Sequence, residues 1–366
     1  MGKRRSFLLY PPALIFGLIT AIRNYLYDSG ILSSTEFGIP VICIGNITVG
    51  GTGKTPHVEY LAALLRKEFR IAVLSRGYKR RSAGFRIASP GSGACDIGDE
   101  PLQIALKFPD IIVAVDNDRV NGVENLLKNY PDIDAIILDD GFQHRKIKPG
   151  FSILLTDYHQ PMQEDFMLPY GNLRESIKNI KRADMVVITK APPDISMEDL
   201  NKTAANLNEI FRKKVFITSL SYEIPQKLFE NSTGERPETE GNNSDQTGAV
   251  VITGIASPDP FVSFARNRFS ETIHLNFPDH HNFTEKDMRK IIKAYESLKT
   301  PYKSVVTTEK DSVRLRELAG IPDHIKEALY YIPVRITFPA GEKNEFDNII
   351  IDYVRKNKPD NDISQI

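Results

Sequence analysis

The chain has 366 residues, 41% of them hydrophobic, and its 47 basic side chains balance 47 acidic ones. This hydrophobic share excludes a wholly disordered protein, and the zero net charge gives no support for a nucleic acid partner. The two cysteines, Cys43 and Cys95, lie far apart in sequence, which argues against a disulfide framework and against a cysteine-built zinc site.

The N-terminus contains an uncharged apolar stretch, residues 7–22, preceded by three basic residues. A membrane-spanning helix needs about 20 apolar residues, and the pair Pro11-Pro12 shortens the helical part of this stretch. From position 13 onward, apolar residues recur at the four-residue spacing of a helix. We predict a retained helix on a membrane surface over residues 1–30. A core-packed helix and a signal peptide are the alternatives.

Six short apolar runs follow, rich in valine and isoleucine and separated by helical periodicity. Such runs are typical of parallel strands buried on both faces, and their alternation with helices indicates a doubly wound, mostly parallel sheet. We predict an α/β fold of the P-loop NTPase type for residues 31–224. Its strands are predicted at residues 41–45, 71–75, 111–115, 135–140, 152–157 and 185–190.

Polar sequence over residues 225–248 interrupts this pattern and is predicted to form a linker or insertion. A second, smaller α/β lobe is predicted for residues 249–340, followed by a helix and tail over residues 341–366. The strands of this lobe are predicted at residues 249–256, 272–277 and 304–310. Ligands of open α/β sheets bind beyond the carboxyl ends of the strands, where the distinctive motifs of this chain also cluster.

The stretch NITVGGTGKTP, residues 46–56, lies between the first predicted strand and a helix and ends like a phosphate-binding loop. Its glycines would let backbone amides approach phosphate oxygens at the helix N-terminus. Lys54 would reach the β- and γ-phosphates of ATP, and the Thr55 hydroxyl would bind Mg²⁺. The predicted ATP-binding residues are Thr48, Gly50, Gly51, Thr52, Gly53, Lys54 and Thr55.

Two positions of this loop leave alternatives open. Thr48 stands where the common motif G-x-x-x-x-G-K-[ST] has glycine. The string GGTGKT also resembles the loop of ATPases that act as dimeric switches, although those have Lys or Arg where this chain has Val49. A dimeric membrane-associated P-loop ATPase switch and a nucleotide-binding scaffold are therefore the alternatives to a phosphate-transferring enzyme.

An acidic pair, Asp139 and Asp140, ends the predicted strand AIILDD. An acidic residue at the end of a hydrophobic strand is the second metal-binding element that a phosphate-binding loop requires. We predict that one of the two holds Mg²⁺ or its water, while the other orients that shell or Lys54.

Charged residues at other predicted strand ends are candidates for binding an acceptor. The basic stretch 74–86 suits a phosphorylated acceptor or an anionic membrane surface. GDEP contains Asp99 and Glu100 in a predicted loop before a helix, and the adjacent His280 and His281 are hydrogen-bonding or acid–base candidates. The predicted acceptor-binding residues are Arg76, Tyr78, Arg80, Glu100, Arg119, His144 and Arg174.

Eight motifs occur here in the order found in one enzyme family: GNITVGGTGKTP, LSRGY, GDEP, DDGFQHR, PYGNLRES, GIASPDPF, FPDHHNF and TEKDSVRL. On these motifs the chain resembles the tetraacyldisaccharide 4'-kinases, or lipid A 4'-kinases, from the N-terminal helix to about Leu315. The loop of that family also has threonine at the position of Thr48. Residues 225–248 match none of these motifs.

The resemblance implies a kinase that uses ATP and Mg²⁺ to phosphorylate the 4'-hydroxyl of an acylated glucosamine disaccharide 1-phosphate. It also implies peripheral residence at the cytoplasmic face of the bacterial inner membrane, and we predict no obligate protein partner. Asp99 would take the proton of the acceptor hydroxyl, supported by His280 or His281, and Glu100 is the rival base. Asp139 and Asp140 would belong to the metal shell.

Overall fold

A computed structural model describes residues 6–229 and 246–359 of the chain. The first lobe consists mainly of an eight-stranded sheet with helices on both faces. Its elements are α1 (Tyr10–Asp28), β1 (Val41–Gly45), α2 (Lys54–Leu65), β2 (Ile71–Ser75), β3 (Arg86–Ile87), α3 (Ala94–Ile97), α4 (Asp99–Lys107), β4 (Ile112–Val115), α5 (Arg119–Asn129), β5 (Ala135–Asp139), β6 (Phe151–Asp157), β7 (Met185–Thr189), α6 (Met197–Phe211) and β8 (Val215–Ile217).

The strand order of this sheet is β3-β4-β2-β5-β1-β6-β7-β8, and every pairing is parallel except that of the short edge strand β3. The predicted doubly wound sheet is therefore confirmed. β1 lies between β5 and β6, with Ile44 paired to Asp139. This order places the loop after β1 next to the acidic pair that follows β5, because parallel neighbouring strands end at the same edge of a sheet.

The second, smaller α/β lobe is also present. Its sheet has the strand order β10-β14-β13-β11-β12, in which only the pairing of β10 with β14 is antiparallel. Its elements are β10 (Gln226–Lys227), β11 (Thr247–Thr253), α7 (Asp259–Arg268), β12 (Glu271–Asn276), α8 (Glu285–Ser297), β13 (Tyr302–Thr308), α9 (Glu309–Arg316), α10 (Asp323–Ala328) and β14 (Leu329–Ile332).

The segment predicted as a linker is strand at both described ends. β10 falls at its start and the first residues of β11 at its end, while residues 230–245 lie outside the described part of the chain. β9 (Ser219–Tyr222) and β15 (Val334–Thr337) pair antiparallel where the chain leaves and re-enters the first lobe. The C-terminal helix α11 (Glu342–Asn357) then packs Phe346, Ile350 and Val354 into the core of the first sheet. The first lobe thus includes residues from both ends of the described chain.

The helix α1 begins earlier than predicted. Pro11 and Pro12 occupy its first positions, where a missing N–H costs nothing, so they start the helix and do not shorten it. By length and composition Phe7–Asp28 could cross a membrane. Most of its apolar side chains are exposed, so the core-packed alternative does not describe it.

Three helices from the two lobes meet at a buried ion cluster. Lys107, at the end of α4, lies 2.7 Å from Glu59 of α2 and 2.8 Å from Glu309, the first residue of α9. Gln103 also donates to Glu59, at 2.7 Å. Burial, followed by the charge of Glu309, raises the pKa of Glu59 to about 7. One lysine thus balances two carboxylates that would otherwise repel each other between the lobes.

We expect Lys107→Met to lower the free energy of unfolding by about 3–5 kcal/mol, because it leaves two carboxylates buried without a cation. Glu59→Gln should cost less than about 1 kcal/mol, because Glu309 still balances Lys107. Folded Glu59 keeps its proton between pH 4.5 and about 7, where the unfolded chain loses it, so its contribution to stability falls as pH rises through that window. The measurement is urea unfolding of both variants at pH 5 and pH 8. Equal losses of unfolding free energy in Lys107→Met and Glu59→Gln would contradict the expected difference between them.

Candidate active site

Residues 46–53 connect β1 to α2 and form the loop that the sequence predicts to bind phosphate. Gly50 and Gly53 have φ angles of 112° and 80°, in the left-handed region that favours glycine. Lys54 is the first residue of α2 and Thr55 the second, both half-buried. The N–H groups of the first helical turn therefore point toward the loop, as an anion site requires.

The loop is fastened to its surroundings by side chains. The Thr52 hydroxyl accepts a hydrogen bond from Asn46 Nδ2 at 2.8 Å, and the Thr52 carbonyl accepts from the Thr189 hydroxyl at 2.9 Å. His57 Nδ1 donates to the Gly53 carbonyl at 2.7 Å, and burial lowers the pKa of His57 to about 4. His57, which the sequence analysis did not select, is therefore a neutral residue that supports the loop.

Thr48 is buried because the loop pairs with the PYGNLRES segment. Thr48 and Leu173 form an antiparallel bridge, and the Val49 N–H donates to the Asn172 carbonyl at 2.8 Å. On the other side, the Arg174 N–H donates to the Ile47 carbonyl at 2.7 Å. The position at which the common motif has glycine is here part of a short two-stranded contact, which β-branched threonine suits.

Asp139 ends β5 as a buried carboxylate with an incomplete set of partners. Its Oδ2 accepts from the Ser75 hydroxyl at 3.0 Å, whereas Oδ1 has no hydrogen-bond partner among the residues described. Burial, followed by the charges of Glu100 and Asp140, raises the pKa of Asp139 to about 7. A bound cation would satisfy the free oxygen and lower this pKa.

Asp140 follows directly after β5, and its backbone has a φ of 50°, in the left-handed region. Its Oδ1 lies 3.6 Å from Lys54 Nζ, and its Oδ2 lies 3.4 Å from Arg174 Nη1. Lys54, Asp140 and Arg174 thus meet beside the phosphate loop, although the sequence analysis places Arg174 among the acceptor-binding residues. The free oxygen of Asp139, the adjacent Asp140 and the hydroxyl of Thr55 provide hard oxygen ligands, so the residues present fit Mg²⁺.

Arg119 and His144 lie behind the acidic pair. Arg119 is only 2% exposed and donates to the Asp116 carbonyl at 2.7 Å and to the Asp139 carbonyl at 3.4 Å. The Arg119 N–H donates to His144 Nε2 at 3.4 Å. Burial, followed by the charge of Arg119, lowers the pKa of His144 to about 4. In this arrangement Arg119 supports the end of β5, and its contact with the acceptor stays a prediction.

The basic loop after β2 divides into exposed and engaged side chains. Arg76 and Tyr78 are exposed, and the Tyr78 ring lies edge-on to His280 with centroids 5.3 Å apart. Arg80 instead folds back on its own loop, donating from Nη2 to the Gly84 carbonyl at 2.7 Å. Arg76 and Tyr78 therefore face solvent beside the second lobe, whereas Arg80 shapes the loop.

Asp99 is the first residue of α4, so its prediction as a loop residue is wrong. Gly98 precedes it with a φ of 90°, which turns the chain sharply into the helix. Asp99 is 6% exposed, and its Oδ2 lies 2.7 Å from His280 Nδ1, in the second lobe. Lys310 Nζ lies 3.2 Å from His280 Nε2.

Two donor groups face the His280 ring. Lys310 Nζ approaches Nε2, and Arg314 Nη2 lies 2.8 Å from Nδ1, beside the Asp99 carboxylate. Burial and the Lys310 charge both lower the pKa of His280, which keeps it neutral. Glu100, the rival base, forms an ion pair with Lys310 at 3.1 Å.

The side chain of His281 points elsewhere. Its Nε2 lies 2.9 Å from Asp287, and its ring stacks on Phe277 at a centroid distance of 4.9 Å. Of the two adjacent histidines, the structure brings only His280 to Asp99. His281 helps to hold the start of α8.

Two residues at this cluster were missed by the sequence analysis. Arg314 of α9 donates from Nε to Asp99 Oδ1 at 2.9 Å, and Lys310 bridges Glu100 and His280. Both lie in TEKDSVRL, a motif quoted above without a role. The signal that could have found them is their spacing of four residues, which puts both on one face of a helix.

The two clusters together provide what phosphate transfer needs. One has a helix N-terminus, a lysine and hard oxygen ligands for a polyphosphate with its metal. The other has a carboxylate held by a neutral histidine and an arginine, as a proton acceptor requires. The loop after β2 links the two clusters. Ser75, at the end of β2, donates to Asp139, and Gly77 and Tyr78 lie against Gly98, which precedes Asp99.

Comparisons with known proteins agree on one family. The model of the family described as tetraacyldisaccharide-1-P 4'-kinase matches residues 5–355. The tetraacyldisaccharide 4'-kinase of Bacteroides thetaiotaomicron is 42% identical over 362 residues, which cover 98% of this chain and 95% of that protein. The enzyme of the same name from Flavobacterium psychrophilum is 45% identical over 350 residues, covering 94% of this chain and 96% of that protein.

One solved structure is similar over nearly the whole fold. The crystal structure of LpxK from Aquifex aeolicus in complex with ATP covers 93% of this chain and 97% of its own chain. The TM-score is 0.68 and the sequence identity is 29%. The likeness therefore extends across both lobes.

Proposed function

The chain belongs to the tetraacyldisaccharide 4'-kinase family, and we propose that its two lobes divide the reaction, the first holding ATP at residues 46–56 and both together holding the base. It is a lipid A 4'-kinase that uses ATP and Mg²⁺ to phosphorylate the 4'-hydroxyl of tetraacyldisaccharide 1-phosphate. The observation that supports this assignment of residues is the pairing of β1 with β5, which sets the phosphate loop beside the acidic pair. The loop after β2 then joins the acidic pair to the start of α4, where Asp99 lies.

On the donor side, Lys54 and the N–H groups of the first turn of α2 would neutralise the phosphates of ATP. Asp140 lies within 4 Å of both Arg174 and Lys54. ATP binding would therefore move the Lys54 ammonium from the Asp140 carboxylate to a phosphate. Mg²⁺, held by Thr55 and Asp139, would supply further charge neutralisation on the β- and γ-phosphates.

On the acceptor side, Asp99 would accept the proton of the 4'-hydroxyl. The 4'-oxygen forms a bond to the γ-phosphorus while the bond to the β,γ-bridging oxygen breaks, and ADP leaves. His280 orients the carboxylate through Nδ1, which lies 2.7 Å from Oδ2. Glu100 is less suited to this role, because Lys310 neutralises it directly at 3.1 Å. The exposed Arg76 and Tyr78 could contact the phosphorylated disaccharide.

The test is transfer of radioactive γ-phosphate from ATP by the purified protein. We expect label in tetraacyldisaccharide 1-phosphate, no label in an acceptor whose 4'-hydroxyl is already phosphorylated, and loss of transfer when Mg²⁺ is chelated. Hydrolysis of ATP without transfer to the lipid would contradict the proposal and favour the dimeric ATPase switch.

We also infer that the protein is peripheral, held at the cytoplasmic face of the inner membrane, where ATP is supplied. Seven large apolar side chains of residues 7–22 are 51–85% exposed: Phe7, Leu8, Leu14, Ile15, Leu18, Ile19 and Ile22. The other face of α1 is tied to the first lobe. Arg23 donates to the Gln143 carbonyl at 3.0 Å, and Asp28 pairs with Arg145 at 2.7 Å.

These ties favour a helix lying on the membrane over one that crosses it. A helix whose polar side is bonded to a folded lobe cannot be surrounded by lipid, but it can insert its apolar face. The segment 166–170 extends this face, because Tyr10 packs on Tyr170 at a centroid distance of 5.4 Å. Such a placement would bring the phosphate loop close to an acceptor whose acyl chains remain in lipid. The basic residues at positions 3–5 lie outside the described part of the chain.

We expect detergent to release the protein from membranes completely and high salt to release only part of it, because apolar burial dominates the binding. Replacing Leu18 and Ile22, on the exposed face of α1, by glutamate should lower binding to lipid vesicles by about 10-fold or more. Ile224→Glu is the matched control, since Ile224 is 59% exposed but distant in sequence from α1. Full release by salt alone, or equal loss in the control, would contradict a membrane-surface helix.

A further inference from the structure

Arg314 holds both oxygens of the Asp99 carboxylate. Its Nε donates to Oδ1 at 2.9 Å, and its Nη2 contacts Oδ2 and lies 2.8 Å from His280 Nδ1. Its Nη1 donates to the His281 carbonyl at 3.2 Å, which fixes the plane of the guanidinium. We call this two-point contact between Arg314 and the Asp99 carboxylate the fork. The Arg314 side chain is 4% exposed, so the fork is shielded from water. Paired contacts of this kind are the geometry that arginine provides and lysine does not.

The fork determines where a further proton donor can approach Asp99. A carboxylate has about four acceptor positions. Arg314 occupies one on each oxygen, and His280 Nδ1 blocks another on Oδ2, at 2.7 Å. The remaining position lies on Oδ1, which His280 does not contact. A hydroxyl that donates to Asp99 would therefore bind there.

The fork also determines whether Asp99 is ionised. Asp99 is 6% exposed, and burial by itself favours the neutral acid, which cannot accept a proton. Arg314 is the cation that contacts the carboxylate directly, whereas Lys310 pairs with Glu100. The charged and titratable groups facing this site from α4, from the loop before α8, from α9 and from the loop after β2 are Glu100, Asp279, His280, Lys310, Arg314 and Lys79.

We propose that Arg314 is a positioning residue for the base, which keeps the Asp99 carboxylate ionised and leaves one acceptor position on Oδ1 for the sugar hydroxyl. This inference rests on the proposed role of Asp99. Because Arg314 comes from the second lobe and Asp99 from the first, the base is complete only when the lobes are docked as here.

The test is the pH dependence of kcat/KM for phosphate transfer in wild type and Arg314→Met. Without the guanidinium, Asp99 should protonate more easily, so the acid limb should move upward by about 1 to 3 pH units. The ratio of the two profiles cancels the ionisation of ATP, which is common to both. ATP affinity should stay within about 3-fold of wild type, since Arg314 does not contact the phosphate loop.

Two variants serve as controls. Arg316→Met removes the same charge from an exposed position of α9 and should leave the profile unchanged. Arg314→Lys keeps a charge but loses the fork, so it should shift the acid limb less than Arg314→Met. Should Arg314→Met fail to fold, the profile of Arg314→Lys decides, and a profile identical to that of wild type would overturn the inference.

Comparing Arg314→Met with Asp99→Asn distinguishes a wrong role for Arg314 from a wrong role for Asp99. If Asp99→Asn keeps full activity, the proposed base is wrong, whatever Arg314 does. If Asp99→Asn is inactive but Arg314→Met keeps the profile of wild type, only the role of Arg314 is wrong. In the background of Asp99→Asn, Arg314→Met should cause little additional loss, because it acts through the missing carboxylate.

Discussion

Lys54→Ala should lower kcat/KM for phosphate transfer by about 10³-fold, which is the scale found when a single charge clamp on a transferring phosphate is removed. Lys54 leads α2 directly after the loop, where its ammonium can meet the charge that develops on the β- and γ-phosphates. The change also leaves Asp140 with Arg174 as its remaining cation within 4 Å. The repulsion between Asp140 and the nucleotide would then add to the loss.

The measurement is steady-state transfer at saturating acceptor, with ATP affinity determined separately. Lys67→Ala, an exposed lysine beyond the end of α2, is the control for removing one positive charge. Near-normal turnover in Lys54→Ala would show that residues 46–56 do not bind the phosphates during transfer.

Asp99→Asn should lower kcat by about 10²-fold or more while ATP affinity stays almost unchanged. Asparagine has nearly the same shape as aspartate, but its amide cannot accept the proton of the 4'-hydroxyl. Asp99 does not belong to the phosphate loop, so nucleotide binding should not depend on it. His280→Ala should cause a smaller loss that is not additive with Asp99→Asn, because the side chain of His280 orients this carboxylate.

Glu100→Gln is the matched control, one residue further along α4 and bound to Lys310. His281→Ala should leave kcat close to wild type, since the side chain of His281 contacts Asp287. Thermal unfolding should accompany these assays, because asparagine presents an amide group to the two donors that hold residue 99. If Glu100→Gln abolishes transfer while Asp99→Asn does not, the base is Glu100.

The proposed base therefore depends on contacts between the lobes. His280 and Arg314 are 181 and 215 positions away from Asp99 in sequence, and the Glu59–Lys107–Glu309 cluster joins the same two lobes. Separation of the lobes would leave the phosphate loop intact, since its fastening residues all belong to the first lobe. A change that loosens the lobes should therefore reduce transfer more than ATP binding.

Much of the fold and of the phosphate loop can be predicted from local sequence patterns. Buried parallel strands need uninterrupted apolar runs, so nine strands of the two sheets are predicted from short apolar stretches, whereas the shorter strands β3, β8, β10 and β14 are not. The phosphate loop is likewise local, because its glycines, Lys54 and Thr55 are neighbours in sequence and act through one strand, one turn and one helix. Asp139 and Asp140 follow from the same logic of strand ends.

Only the tertiary packing decides which of several chemically equivalent residues contacts Asp99. No local pattern distinguishes His280 from His281, and only the turn at His280, with a φ of 60°, directs one ring to Asp99 and the other to Asp287. The four-residue spacing of Lys310 and Arg314 puts both on one helix face, but it does not identify Asp99 as the partner of Arg314, because Asp99 lies in another lobe. Likewise, α11 returns to the first sheet although its sequence adjoins the second lobe. Contacts between distant segments depend on how whole sheets and helices pack, and such packing leaves no periodicity in the chain for a sequence pattern to record.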